Sequence, residues 1–311
     1  MDNKEFKIGI IYAALSYILW GFLPIYWKAF DNVSAGAILA HRIVWSFVFM
    51  VFLLLITRSW RSFVKECVQI WHDKKKLIGI SMASLVISIN WLIFIWAVNS
   101  DHVIQASLGY YINPLISILL GMLVLKEKLT RWQVFSFILA GIGVIYLTFN
   151  FGVFPWISIV LALSFGLYGL LKKTVDINSM FGLTIETMIV CPFAFIFLLT
   201  TQVNASTFQF EHLWSATTVL LLGSGIATAV PLLLFASGAK RIPLSMVGFL
   251  QYFAPTLMLI LGVFLYHEVF THAHLIAFIC IWTALGIYTV SRTKWFNRFE
   301  QKLARGNRKL S

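Results

Sequence analysis

Charged residues are scarce in this chain. Asp, Glu, Lys and Arg together make up 12% of its 311 residues, whereas apolar residues make up 60%. A soluble protein of this length cannot bury that much apolar surface. The apolar residues also run in blocks of about 20, which match a hydrocarbon core about 30 Å thick at about 1.5 Å per helical residue. The composition therefore predicts a polytopic membrane protein.

Cysteine is rare, and the common catalytic motifs are missing. Cys67, Cys191 and Cys280 have no paired spacing, which predicts neither a disulfide framework nor a metal site. The chain contains no Walker loop, no G-x-S-x-G and no H-E-x-x-H sequence. We therefore expect no ATP site, no cofactor and no enzymatic activity.

The apolar blocks predict an all-α protein with ten transmembrane helices. Barrel strands would be about ten residues long and would alternate polar with apolar residues, and these blocks do neither. The connections between blocks are short, so neighbouring helices are expected to run antiparallel. The predicted spans are residues 8–28, 36–57, 77–98, 103–125, 132–149, 153–171, 180–200, 213–237, 245–266 and 273–291.

The basic residues predict the orientation in the membrane. With the N-terminus inside, every Lys and Arg falls in an inside segment except Lys28, which is outside, and Arg42, which lies within a span. This distribution follows the positive-inside rule and predicts that both termini are cytoplasmic. A basic tail, residues 293–311, is expected to lie on the anionic inner leaflet. Nucleic-acid binding is the weaker interpretation of the net charge of +12.

One pattern occurs twice, 141 residues apart. It consists of Tyr, Pro, Gly and Glu in fixed register, as Tyr111, Pro114, Gly121 and Glu127 and again as Tyr252, Pro255, Gly262 and Glu268. Upstream, ALSYILWGFL (14–23) aligns with ALSFGLYGLL (162–171). Because five helices is an odd number, the second copy enters from the opposite side, which predicts two inverted five-helix repeats related by a pseudo-twofold axis. We expect them to comprise residues 1–150 and 151–292.

Three further stretches resemble a known family. They are LSYILWGFLPIYWKAF (15–30), AHRIVWS (40–46) and NWLIFIWAVNSDHVIQASLGYYINPL (90–115). Together with the five-plus-five organisation, they resemble the EamA/drug–metabolite transporter superfamily and, within it, the RarD group, described as chloramphenicol-sensitivity proteins. The resemblance covers essentially the whole chain and implies a transporter of the bacterial inner membrane. Lys126 and His267 depart from it, because the wider superfamily often has Gly before these acids.

Three ionisable side chains lie inside the predicted spans, where a charge costs about 3 kcal/mol. Arg42 is either an anion site, for a carboxylate or phosphate, or a side chain that snorkels to the outer headgroups. Glu186 lies at a mirrored depth and either carries a proton or snorkels to the cytoplasm. Its separation in depth from Arg42 argues against an ion pair between the two. His41 either carries a proton or makes a hydrogen bond within the bundle.

Polar and aromatic side chains cluster beside two prolines at symmetry-related positions. Pro114 and Pro255 each remove a backbone hydrogen bond at mid-span, which predicts a hinge or a cavity wall, with a plain kink as the alternative. Nearby amides and phenols can hold a polar solute, although the same groups can also join helices. In addition to Arg42, the predicted solute-binding residues are Asn90, Trp91, Tyr110, Tyr111, Asn113, Tyr168, Gln251 and Tyr252. Glu127 and Glu268 are expected to cap or pair at the membrane edges.

These features favour a secondary transporter for a small organic solute, either a drug or a metabolite. Two inverted repeats give two nearly equivalent states, which is the physical basis of alternating access around a midplane site. The resemblance favours export, and the expected partners are the solute and membrane lipids. The alternative is a membrane-embedded receptor or assembly factor without a transport cycle. The sequence leaves the solute, the coupling ion and the oligomeric state open.

Overall fold

A computed structural model describes residues 3–30, 33–99, 103–152, 154–202, 215–267 and 270–291. These residues form twelve helices. Their bounds are α1 Asn3–Trp27, α2 Ala35–Ile56, α3 Trp60–His72, α4 Lys74–Asn99, α5 Val103–Leu123, α6 Arg131–Phe151, α7 Trp156–Thr174, α8 Ser179–Gln202, α9 Ala216–Arg241, α10 Leu244–Gln251, α11 Phe253–Phe264 and α12 His272–Ser291. The predicted basic tail and Glu268 lie outside the described residues.

The spanning segments agree with an all-α membrane protein. Within the described ranges, nine helical stretches are long and apolar enough to cross a membrane, and α5 adds a shorter apolar stretch, Leu108–Leu123. Helices α10 and α11 together supply one of the nine, Leu244–Phe264. Local sequence sets the helix starts: Thr130 and Gln133, for example, form a capping box before α6. The predicted fold of ten spanning segments is confirmed.

The connection between the second and third spans contains a helix, so the prediction of a short loop there is wrong. Helix α3 has 13 residues, too few to span a membrane. Its Phe63 and Ile70 are buried in an apolar cluster with residues of α2, α4 and the start of α8. A second apolar stripe on α3 is exposed and consists of Trp60, Val64, Val68 and Trp71. Helix α3 therefore contacts the protein with one side and presents apolar side chains outward with another.

The ninth predicted span is broken. Helix α10 ends at Gln251 and α11 begins at Phe253, with Tyr252 in a turn between them. Pro255 has no N–H group and cannot donate to the carbonyl of Gln251, so one helical hydrogen bond is lost at the break. The equivalent Pro114 lies inside α5, which continues through it.

The helices pack mainly across the two repeats. Helices α1 and α2 pack on α9, and α1 also packs on α11, which together form bundle A. Helices α7 and α8 pack on α4, and α7 also packs on α5, which together form bundle B. The sequence repeat makes α1 equivalent to α7, α2 to α8, α4 to α9, and α5 to α10 with α11. Exchanging these equivalents converts bundle A into bundle B, as a pseudo-twofold relation requires.

Three helix pairs map onto themselves under this exchange: α2 with α8, α5 with α10, and α6 with α12. Glycine allows the closest helix crossings, as is usual in membranes. A Cβ on Gly225 of α9 would overlap the backbone carbonyl of Trp45 in α2. A Cβ on Gly248 of α10 would lie 2.7 Å from the carbonyl oxygen of Pro114 in α5. The first crossing lies within bundle A, and the second joins α10 to bundle B.

Candidate functional site

A cavity of about 540 Å³ lies between bundle A and bundle B. Bundle A lines it with residues of α1, α2, α9 and α11, and bundle B with residues of α4, α5 and α7. The cavity extends to the end of the molecule where α1 finishes and α2 begins, because Trp27, Lys28 and Ile38 line it. Any change in the angle between the bundles would therefore change its shape.

The structure brings most of the predicted solute-binding residues together around this cavity. The predicted residues in its lining are Arg42, Asn90, Trp91, Tyr110, Asn113 and Gln251. Pro255, one of the two predicted hinges, also lines it. Tyr111, Tyr168 and Tyr252 lie outside the lining, as do His41, Glu186 and Pro114. The cavity is thus a mainly apolar space with a few polar groups, the usual character of a small-molecule site.

Arg42 extends from α2 into the cavity. Its Nε donates a hydrogen bond to Thr228 Oγ1 on α9 at 3.0 Å. Its guanidinium carbon lies 4.4 Å from the ring centroid of Trp27 and 6.0 Å from that of Trp91. No carboxylate of the described residues pairs with Arg42. The hydrogen bond to Thr228 fixes one edge of the guanidinium, and the two terminal nitrogens of Arg42 remain available to bind a ligand.

Asn90 presents an oriented acceptor to the same cavity. Its Nδ2 donates to the carbonyl oxygen of Leu161 at 2.9 Å and to Ser164 Oγ at 2.8 Å. A backbone carbonyl can only accept, so the amide nitrogen has to face Leu161. Both N–H groups of Asn90 are used, and its Oδ1 accepts no hydrogen bond from the part of the chain that is described. That oxygen remains available to an N–H or O–H donor.

The wall formed by α1, α5 and α10 holds further unsatisfied polar groups. Asn113 is 7% exposed, and its buried Oδ1 accepts no hydrogen bond within the described ranges. The hydroxyl of Tyr17, which also lines the cavity, is equally unpaired there. Gln251 is anchored through its Oε1, which accepts from Ser117 Oγ at 3.2 Å. Buried polar groups without partners are uncommon in proteins, and two of those found among the described residues belong to the cavity lining.

An aromatic floor lies beneath the cavity. The sequence had suggested that Trp20 could face a cavity, but it gave no role in the site to Phe165 or Phe235. Trp20 and Phe165 line the cavity, and their ring centroids lie 5.6 Å apart. Phe235 contacts both rings, at 5.8 Å and 5.3 Å, and stacks on Tyr168 at 5.9 Å. A signal was present, because the repeat aligns ALSYILW with ALSFGLY and keeps aromatic residues at the Tyr17 and Trp20 positions.

Glu186 lies beyond this floor and takes part in a buried ion pair. Its Oε1 lies 2.6 Å from Lys172 Nζ, and Tyr168 donates its hydroxyl hydrogen to Oε2 at 3.1 Å. Glu186 and Lys172 are 4% and 6% exposed. The expectation that Glu186 and Arg42 do not pair agrees with this geometry. The expectation of only three ionisable residues within spans is wrong, because α7 continues to Thr174 and includes Lys172.

The remaining predicted residues have structural surroundings. Trp45 Nε1 donates to His41 Nδ1 at 3.3 Å, and His41 is 6% exposed. Tyr111 packs in the apolar core, and Tyr252 is fully buried at the break between α10 and α11. The Tyr252 hydroxyl has no partner among the described residues. Whether any of these groups contacts a solute stays a prediction.

The end of the molecule opposite the mouth of the cavity carries hydrogen bonds that join bundle B, or residues next to it in sequence, to α9 and α10. Glu127 accepts from the backbone N–H groups of Leu244 at 2.6 Å and Ser245 at 2.9 Å, so it caps α10 as the sequence suggested. Lys173 Nζ donates to the carbonyl oxygens of Ala239, at 3.2 Å, and Ile242. Lys240 Nζ donates to the carbonyl oxygen of Ile177. These contacts hold that end closed.

The fold and cavity define a class. A protein with ten spanning helices, two inverted repeats and a polar-aromatic cavity between two equivalent bundles has the architecture of a membrane transporter. The EamA-like transporter family matches residues 7–149 and residues 154–291. The chain belongs to this family.

Relatives over the full length agree. An "Uncharacterized transporter YojE" of Bacillus subtilis is 47% identical over 299 residues, which cover 95% of this chain and 98% of the relative. "Protein RarD" of Escherichia coli is 41% identical, covering 93% of this chain and 96% of the relative. A solved crystal structure superimposes with a TM-score of 0.68 over 92% of this chain and 98% of its own, at 14% identity, and shows the fold alone. The chain is therefore a multi-pass bacterial membrane transporter.

Proposed function

We propose that the chain moves a small organic solute across the bacterial inner membrane by alternating access, and that the cavity between the bundles is the solute site. The position of the cavity is the observation that carries this proposal. It lies between two bundles that the internal repeat makes equivalent, so each bundle can adopt the conformation of the other. Opening one end while closing the other then requires only a change in the angle between them.

Bundles A and B are the moving bodies in this proposal, instead of the two sequence repeats. Contacts within each bundle are extensive, and each bundle takes helices from both repeats. Arg42 and Thr228 lie in bundle A and stay together, as Asn90 and Leu161 do in bundle B. The polar groups of the cavity therefore keep their local anchors while the bundles rock.

The orientation follows from the basic residues. The closed end carries Lys172, Lys173, Lys240 and Arg241, so the positive-inside rule assigns it to the cytoplasm together with both termini. The cavity then faces outward in this conformation. Export is the direction that the family resemblance favours. A relative in Pseudomonas aeruginosa that is 26% identical over 89% of this chain has the name "Chloramphenicol-sensitive protein RarD", which keeps a drug among the candidate solutes.

Glu186 is the candidate proton carrier. Its carboxylate is paired with Lys172 and bonded to Tyr168 at the closed end. Opening that end admits water to the pair, and Glu186 can then exchange its partner for a proton. A transport rate that follows an imposed pH gradient, and loses this dependence in Glu186→Gln, supports coupling. Flux that survives collapse of the gradient overturns it.

The test of transport uses purified protein in liposomes, a panel of radiolabelled drugs and metabolites, and two reporter positions. In a background without the native cysteines, Met258→Cys reports on the cavity and Ala83→Cys on the closed end. Transport predicts flux of at least one solute, together with opposite changes in maleimide reactivity at the two positions when that solute is added. No flux, with both reactivities fixed, would favour a receptor or assembly factor.

A further inference from the structure

The charges around the cavity are one-sided. The described residues that line it include Arg42 and Lys28 but no Asp or Glu. Lys28 is exposed at the mouth, and its Nζ lies 3.3 Å from the ring centroid of Tyr266, so water and the ring moderate its charge. Arg42 is left as the inner charge. A cationic solute would meet no carboxylate here, whereas an anion would neutralise a guanidinium that is costly to bury.

The shape of the free part of Arg42 favours a carboxylate. Thr228 occupies Nε, and the two terminal nitrogens form a planar fork that matches two carboxylate oxygens. A phosphate dianion would bring a second negative charge that no other inner cation of the lining balances. Trp27 and Trp91 lie beside the same guanidinium and provide flat apolar surfaces.

Asn90 adds a requirement for a neutral donor. Asn90 and Arg42 both line the cavity, and Asn90 directly precedes Trp91 in α4. An acceptor fixed in an apolar cavity discriminates strongly between ligands with and without a matching N–H group, because a mismatch leaves it desolvated and unpaired.

We propose that the cavity selects organic monoanions that combine one carboxylate, a flat apolar ring and a neutral N–H group. Arg42 binds the carboxylate, the Trp27 and Trp91 rings cover the apolar ring, and Asn90 Oδ1 accepts the N–H hydrogen. This assignment shares one assumption with the proposed function, namely that the cavity is the solute site, and it does not require a transport cycle. Binding can therefore be measured without transport.

The experiment is equilibrium binding of radiolabelled indole-3-acetate to the purified protein in detergent at neutral pH. Unlabelled indole-3-acetamide and tryptamine share the ring and are neutral and cationic, and benzofuran-3-acetate keeps the carboxylate but lacks the N–H group. Each is expected to compete at least about tenfold more weakly than indole-3-acetate. Equal or stronger competition by tryptamine or the acetamide would overturn the proposal.

Variants assign the roles. Arg42→Gln should weaken the binding of indole-3-acetate about tenfold or more and leave the binding of indole-3-acetamide nearly unchanged. Arg42→Lys keeps the charge but loses the planar fork, so its affinity for indole-3-acetate should lie between those of the unsubstituted protein and Arg42→Gln. Arg61→Gln removes the same charge from exposed α3 and serves as the control.

Asn90→Leu should abolish the preference for indole-3-acetate over benzofuran-3-acetate. A preference that persists in this variant would overturn the role of Asn90 as the acceptor. Selective binding without flux in liposomes would sustain this inference and contradict the transport proposal.

Discussion

Lys126 and His267 adopt the same left-handed backbone conformation at equivalent places in the two repeats, with φ values of 54° and 53°. Each follows the end of a spanning helix, and each precedes a glutamate in the sequence. A residue with a Cβ pays about 1–2 kcal/mol for this conformation, whereas glycine adopts it readily. The glycine that the wider superfamily often has at this position therefore has a structural reason.

Glycine should relieve this strain. Lys126→Gly and His267→Gly are each expected to stabilise the protein by up to about 1 kcal/mol, since part of the gain is lost to the larger freedom of glycine in the unfolded chain. The measurement is the midpoint of thermal unfolding in detergent. Lys128→Gly, two residues away and without a positive φ, is the control and should not stabilise. A larger gain at Lys128 than at Lys126 would contradict this explanation.

The crossing of α2 and α9 should not tolerate a side chain at Gly225. A Cβ there would overlap the Trp45 carbonyl, so Gly225→Ala is expected to destabilise by about 1–3 kcal/mol as the helices separate. Gly286→Ala in α12 is the matched control, because its Cβ would meet nothing within 4 Å. Helix propensity should make that change neutral or stabilising by up to about 1 kcal/mol. Similar thermal midpoints for the two variants would show that the crossing is not tight.

The Lys172–Glu186 pair should behave as a coupled unit. Lys172→Met leaves a buried carboxylate without its cation and is expected to destabilise by about 3–5 kcal/mol. Adding Glu186→Gln to Lys172→Met removes the unpaired buried charge and should restore most of the lost stability. Thermal unfolding of the two single variants and the double variant closes a mutant cycle. Additive effects would indicate that the two side chains do not interact in the folded protein.

The ties at the closed end should set the balance between conformations. Lys173→Met with Lys240→Met removes the contacts to backbone carbonyls across that end, so the reactivity of a cysteine at Ala83 should rise. Arg241→Met is the control, because the Arg241 pair with Glu5, at 2.8 Å, lies within bundle A. Maleimide labelling rates in liposomes provide the measurement. An equal rise in the labelling rate of the Arg241→Met control would indicate that the substitutions loosen the protein in general and do not specifically open this end.

The sequence predicted what depends on hydropathy, charge and internal repetition. Arg42 was recognisable because a lone charge in a long apolar run needs a partner or a cavity, and it does line the cavity. Asn90, Asn113 and Gln251 were recognisable as amides placed near repeated prolines. The fold followed from the repeat and the span lengths, because these fix which helices are equivalent.

Other features depend on partners that are distant in sequence. Lys172 looked like a loop residue, since hydropathy falls after Leu171, but Glu186 on α8 allows α7 to carry this lysine into the interior. Its spacing of four residues from Tyr168, on one helical face, was the available clue. Tyr168, which the sequence predicted to bind the solute, lies outside the cavity lining and donates a hydrogen bond to Glu186. Helix α3 was missed because its 13 residues are too few and too polar to form a span, although the three- and four-residue spacing of its exposed apolar stripe is typical of an amphipathic helix.

Helix α3 links the two bundles, which bears on the rocking movement proposed for them. It follows α2 of bundle A, and its Phe63 and Ile70 pack in one cluster with Leu54 of bundle A and with Ile80 and Ile185 of bundle B. Rocking of the bundles would have to rearrange this cluster or the junction before α3, where Arg58 has a φ of 53°. The exposed apolar stripe of α3 has the amphipathic character that suits the surface of a membrane. If the bundles rock as proposed, the lipid composition around α3 is therefore expected to change the rate of transport.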